Sequence, residues 1–119
     1  MAKPRKKTYR LQPNQIQPLA TMHGACIASD MITCEGRKVG FMYRQKPDNG
    51  IDSGWRFMSG DESQDYMDDP DNHGLYDVNT IANYDPDIIP FLNAPIGTAY
   101  ERQDGNGPLV EVHDFTPED

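Results

Sequence analysis

Arg37-Lys38-Val39-Gly40-Phe41-Met42-Tyr43-Arg44 and, one loop later, Ser53-Gly54-Trp55-Arg56-Phe57-Met58-Ser59 are the two stretches that decide the fold class. In the first, Val39, Phe41 and Tyr43 alternate with Lys38, Gly40, Met42 and Arg44. Successive side chains of a strand point to opposite faces, so this reads as a half-buried strand over 37–44. In the second, Trp55 and Phe57 share one face, and Arg56 and Met58 share the other. Lys46-Pro47-Asp48-Asn49-Gly50 lies between them and is dense in turn formers. Two strands joined by a polar loop predict an antiparallel hairpin.

Working outward, Ala25 to Ser29 is short, apolar and bounded by Gly24 and Asp30, which fits a buried strand. The strands at 25–29, 37–44 and 53–59 are expected to form an antiparallel core, with Phe41 and Trp55 largely buried. Ser59-Gly60-Asp61-Glu62 has the form of a capping box, with Ser59 as cap and Glu62 reaching back to it, and predicts a short helix over 61–67. Asp68-Asp69-Pro70 ends that helix. A brief strand is expected at Leu75 to Val78 and a helical turn from Val78 to Tyr84. A second helix start is expected at Asp85-Pro86. Two closing strands are expected at 98–103 and 109–113. The expected fold is α+β: an antiparallel or mixed β-sheet with two or three short helices in a single domain. Residues 1–22 read as a basic, Pro-containing arm that packs through Leu11, Ile16 and Leu19, residues 23–115 as the domain, and 116–119 as a loose tail.

The formal net charge of −8 is unevenly distributed over the 119 residues. The first ten carry five cations and no acid, whereas Lys46 to Pro90 holds eleven acids against Lys46 and Arg56. Such a surface repels nucleic acid phosphates and favours basic partners. No stretch approaches the ~20 apolar residues of a membrane-spanning helix. The N-terminal cations are not followed by the apolar region of an export signal. A cytoplasmic location is therefore expected, with Cys26 and Cys34 as reduced thiols.

Catalytic signatures are missing. There is no phosphate-binding G-x-x-x-x-G-K-[ST], no G-x-G-x-x-G and no H-E-x-x-H. Ser29 and Ser53 lack a G-x-S-x-G setting. Cys26 lies in an apolar strand, which disfavours the thiolate. Asp69, Asp71, His73 and Gly74 begin a calcium-loop pattern, but Thr80 stands where the bidentate Glu belongs. His23, His73 and His113 do not complete a four-ligand zinc set. No metal and no cofactor is expected, and no catalytic residue is assigned. Trp55 reads first as core, with a role as an interface anchor beside Arg56 as the alternative.

The segments Cys26-Ile27-Ala28-Ser29-Asp30, Gly36-Arg37-Lys38-Val39-Gly40-Phe41-Met42-Tyr43-Arg44, Asp52-Ser53-Gly54-Trp55-Arg56-Phe57, Ser59-Gly60-Asp61-Glu62, Tyr66-Met67-Asp68-Asp69-Pro70 and Val78-Asn79-Thr80-Ile81-Ala82-Asn83-Tyr84-Asp85-Pro86 resemble a family of small bacterial proteins described as immunity proteins of polymorphic toxin systems. The resemblance runs over about residues 25–102. It implies a non-catalytic protein that neutralises a toxin domain. Many such toxins attack nucleic acids with basic clefts, where carboxylates stand in for phosphates.

The candidate partner-binding residues are Asp48, Asp52, Asp61, Glu62, Asp65, Asp68, Asp69 and Asp71, with Phe41, Tyr43, Trp55 and Phe57 as core or anchor aromatics. Two other readings compete: a small metal-dependent enzyme using the Asp61 to Asp71 cluster, and an adaptor without a toxin partner. The sequence leaves the oligomeric state open.

Overall fold

A computed structural model describes residues 7–113. Six strands form one sheet: β1 (Ala25–Ser29), β2 (Phe41–Arg44), β3 (Asp52–Met58), β4 (His73–Asp77), β5 (Ala99–Arg102) and β6 (Leu109–Glu111). Their order across the sheet is β4-β1-β3-β2-β5-β6. The helices are α1 (Asp30–Thr33), α2 (Gln64–Asp68) and α3 (Val78–Tyr84), with 3₁₀ turns at Pro13–Gln15, Pro70–Asn72 and Pro86–Phe91. The chain is one α+β domain, as its pattern of elements implies.

The hairpin is present, with β2 and β3 antiparallel and Met42 opposite Phe57. The expectation of an all-antiparallel core is corrected, because β1 runs parallel to β3 and the sheet is mixed. The β1–β3 register slips between Ala25–Asp52 and Ile27–Arg56. At this irregularity the Ser53 hydroxyl donates to the Ala25 carbonyl at 2.6 Å, and Gly54 has φ +90°. A Cβ on Gly54 would run into the Gln45 carbonyl, so glycine is required there.

One face of the sheet carries the core. Cys26, Ala28, Met42, Trp55 and Phe57 pack with Ile32 of α1, Ile81 and Ala82 of α3, and Ile88 and Leu92 after it. Trp55 is fully buried, stacks on Phe57 with centroids 6.0 Å apart, and donates its indole N–H to the Leu92 carbonyl at 3.1 Å. Trp55 is therefore core and not a surface anchor.

The inward face of β2 is also corrected. Met42 is buried, while Phe41 and Tyr43 are half-buried on the opposite face. Val39 still reaches the core because the pleat breaks before it. Its N–H leaves the ladder and donates to the Asp85 carboxylate at 2.9 Å. Asp85 is itself buried and receives Arg102 at 2.9 Å; it also caps the turn that starts at Pro86, as read from Asp85-Pro86.

The described part of the arm, from Lys7 on, lies against the domain, largely through polar contacts. Lys7 reaches Asp30 at 2.9 Å and the His73 carbonyl at 2.7 Å. Asn79 and Asn83 bind backbone groups of residues 17–20. Ala20 enters the core, Leu11 and Ile16 are half-buried, and Leu19 stays exposed. Lys3, Arg5, Lys6 and the expected tail from 116 lie outside the described residues.

Candidate functional site

The alternation that buries Trp55 and Phe57 turns Arg56 and Met58 the other way. Cross-strand register extends this second face across the sheet: Leu75 lies beside Ile27, Ile27 beside Arg56, Arg56 beside Tyr43, and Tyr43 beside Ala99. The described helices that supply the core, α1 and α3, lie on the other side. Toward one end of the open face Met58 and Met67 line two adjoining hollows of about 760 and 690 Å³. A third, of about 260 Å³, opens between Ile27, Ile51 and Leu75. Leu75 is 77 % exposed and Ile51 75 %.

Arg56 is the charge at the centre. Its guanidinium binds both Asp52 carboxylate oxygens at 2.9 Å, the Trp55 carbonyl at 3.0 Å and Asp48 at 3.4 Å. Its side chain is 7 % exposed and that of Asp52 10 %, whereas that of Asp48 is 69 % exposed. A bidentate fork of this kind is the strong geometry for an Arg–carboxylate pair. The hydrogen bonds from Arg56 hold the Asp52 carboxyl well below the usual carboxylate range, against the opposing effect of burial. Burial alone would pull Arg56 down, but the bonds to Asp52 outweigh it and raise it above its ordinary value.

The predicted acidic residues divide into two groups. Asp52 and Glu62 are engaged inside the molecule. Glu62 accepts from the Ser59 N–H at 2.8 Å, the Ser59 hydroxyl at 3.0 Å and the Gly60 N–H at 2.9 Å. Burial would raise its carboxyl, but hydrogen bonds from Ser29 and Ser59 prevail and lower it. The expected capping box is thus a closed turn. The helix begins only at Gln64, capped by the Ser63 side chain, which corrects the boundary at 61.

The exposed acids are Asp48, Asp61, Asp65, Asp68, Asp69 and Asp71. Asp61 pairs with Arg37 at 2.8 Å, Asp68 accepts from Gln64 at 2.8 Å, and Asp69 caps the Pro70–Asn72 turn through the Asp71 N–H. The calcium-loop register is broken by that turn, and β4 starts at His73. Among the described residues no three His, Cys, Asp or Glu side chains lie together in a way that could hold a metal ion. Cys26 and Cys34 are free thiols, and burial pushes the Cys26 thiol up, which makes it a poor nucleophile.

Of the predicted aromatics, Trp55 and Phe57 serve the core, and Phe41 and Tyr43 lie on the open face. Sequence reasoning missed Ile27, Ile51 and Leu75. Ile27 follows the alternation of a strand whose other parity, Cys26 and Ala28, is buried, and Leu75 alternates with the half-buried Gly74 and Tyr76; that alternation is the signal that would have found them.

The immunity protein Imm33 domain family matches residues 26–113. The chain belongs to the Imm33 immunity protein family. The match takes in every strand but the first residue of β1, so the open face and the acidic α2 segment both lie within the Imm33 domain. No curated protein matches the chain, and no solved structure does. Membership implies a protein toxin as partner. Among the described residues no helix is long and apolar enough to cross a membrane.

Proposed function

We propose that this Imm33 chain is a non-catalytic inhibitor that neutralises a basic toxin domain through its acidic surface. The observation that carries the reading is the placement of exposed carboxylates on α2 and its flanking turns, beside the open face of the sheet, in a chain of this family. Carboxylates so placed act over distance: they steer a cationic partner and raise the association rate more than they slow dissociation. Asp61, Asp68 and Asp69 are engaged one by one with Arg37, Gln64 and the Asp71 N–H, and among the described residues the acids do not gather in a way that could hold a metal ion, which favours a charged docking surface over a metal-dependent active centre.

The test is association kinetics with the toxin domain encoded beside this chain's gene. Association should slow steeply as salt rises through ~0.15 M, where the screening length is about 8 Å. Replacing Asp65, Asp68 and Asp69 together by Asn should slow association more than it speeds dissociation. Asn at position 69 keeps a side-chain acceptor for the Asp71 N–H, so the fold is spared. Salt-independent kinetics, or indifference to the triple variant, would place the acids outside the interface.

A further inference from the structure

We infer that the open face of the sheet, centred on Leu75, Ile27 and Ile51 around the neutralised Arg56, is the docking face for a basic protein partner with an apolar centre, and that the α2 acids form its rim; this rests on the immunity reading above. Three observations support it. First, the face has the composition of an interface: an apolar middle with exposed Leu75 and Ile51, a tyrosine and an arginine beside it, and a charged margin. Second, the charge around Leu75 and Ile51 is net negative, unlike that of the 760 Å³ hollow, which Arg37, Lys38 and Arg102 line. Among the residues lining the 690 and 260 Å³ hollows the one Lys or Arg is Arg56, whose charge is already met by Asp52 and Asp48. Asp48 and Asp77 remain exposed at the hollows' edges. A cation entering between Ile51 and Leu75 would therefore meet carboxylates and no competing charge. Third, the charge disfavours the other occupants. A second copy of this chain would set Asp48 and Asp77 against acids of the same surface, and an anionic membrane or nucleic acid would meet the same repulsion.

Leu75 and Ile51 are exposed enough to be changed without opening the core. The experiment measures binding of the toxin domain encoded beside the gene to wild type, to Leu75→Lys alone and combined with Ile51→Lys, to Leu75→Asp and to Ile96→Lys. Ile96 is 54 % exposed and lines none of these hollows, so it serves as the control. A denaturant melt of each variant checks the fold. The double Lys variant should raise the dissociation constant about 30-fold or more, the loss expected at the centre of an interface. Leu75→Asp should lose contact area but associate faster than a Leu75→Lys single variant, because only Lys repels a basic partner. Ile96→Lys should bind as wild type does.

If wild type binds and the double variant binds equally well, the face is wrong and the immunity reading stands. Equal association rates for the Asp and Lys variants would mean that the partner is not basic at this point, against the inference. If wild type binds no such toxin domain, the inference falls together with the reading beneath it. A wild-type dimer that the double variant dissociates in sedimentation would make the face a self-contact and overturn the proposal.

Discussion

The two faces of the sheet are built from the same few strands, yet they are opposite in chemistry. On β3, Trp55 and Phe57 face helices, while Arg56 and Met58 face outward; on β1, Cys26 and Ala28 face inward, while Ile27 faces outward. Each face also depends on a buried Asp–Arg pair. Asp85–Arg102 ties Val39 and the Pro86 turn to the sheet, and Asp52–Arg56 closes the centre of the open face. The difference shows how a period of two divides the work. One parity secures the fold, and the other is free to be apolar and charged for a partner. Substitutions should sort accordingly into stability effects and binding effects.

The largest expected effect is on the covered face. Trp55→Ala should cost ~3–5 kcal/mol, the usual range for a large buried aromatic. A denaturant melt measures it, and near-wild-type stability would contradict the burial of Trp55. Next comes the pair under the open face. Asp52→Asn leaves Arg56 buried without its bidentate partner and should cost about 3 kcal/mol, the lower end for breaking a buried ion pair.

The same pair predicts the acid limb of stability. The folded Asp52 carboxyl lies below its ordinary value, so as pH falls the unfolded chain takes up that proton first. The Asp52 contribution is fully present above about pH 4 and is lost progressively below it. Melts between neutral pH and pH 3 should therefore show a steeper decline for wild type than for Asp52→Asn. Equal slopes would mean that the carboxyl is not held down.

How much of this was legible in the sequence follows from range. The hairpin, the Asp85-Pro86 start and the α3 turn were legible because their signals are local. The parallel β1–β3 pairing was not, since it joins segments whose partners are chosen by tertiary packing. The inward parity of β2 was misread because aromatics and apolar residues occupy both parities, and because Val39 leaves the pleat to meet Asp85. Glu62 reaches back to the Ser59 N–H as the spacing suggests, but the Ser59 hydroxyl accepts from the Asp61 N–H in a turn, and Ser63 caps the helix. The short α1 had a signal in Ser29-Asp30, where the Ser29 hydroxyl accepts from the Met31 N–H. At the site, the acids were legible as composition. That Asp52 and Glu62 are consumed by Arg56 and by a turn was not, because it depends on which side chains the fold brings within reach.

The most direct measurement of the central claim, that the open face is where the partner sits, is amide hydrogen exchange of the chain with and without the toxin domain encoded beside it. Complex formation should slow exchange in the 45–51 loop, in the 64–72 segment and along β4, and leave α3 and the Pro86–Phe91 turn unchanged. Protection confined to α3 and that turn, with the 45–51 loop exchanging as in the free chain, would put the partner on the covered side and contradict the account.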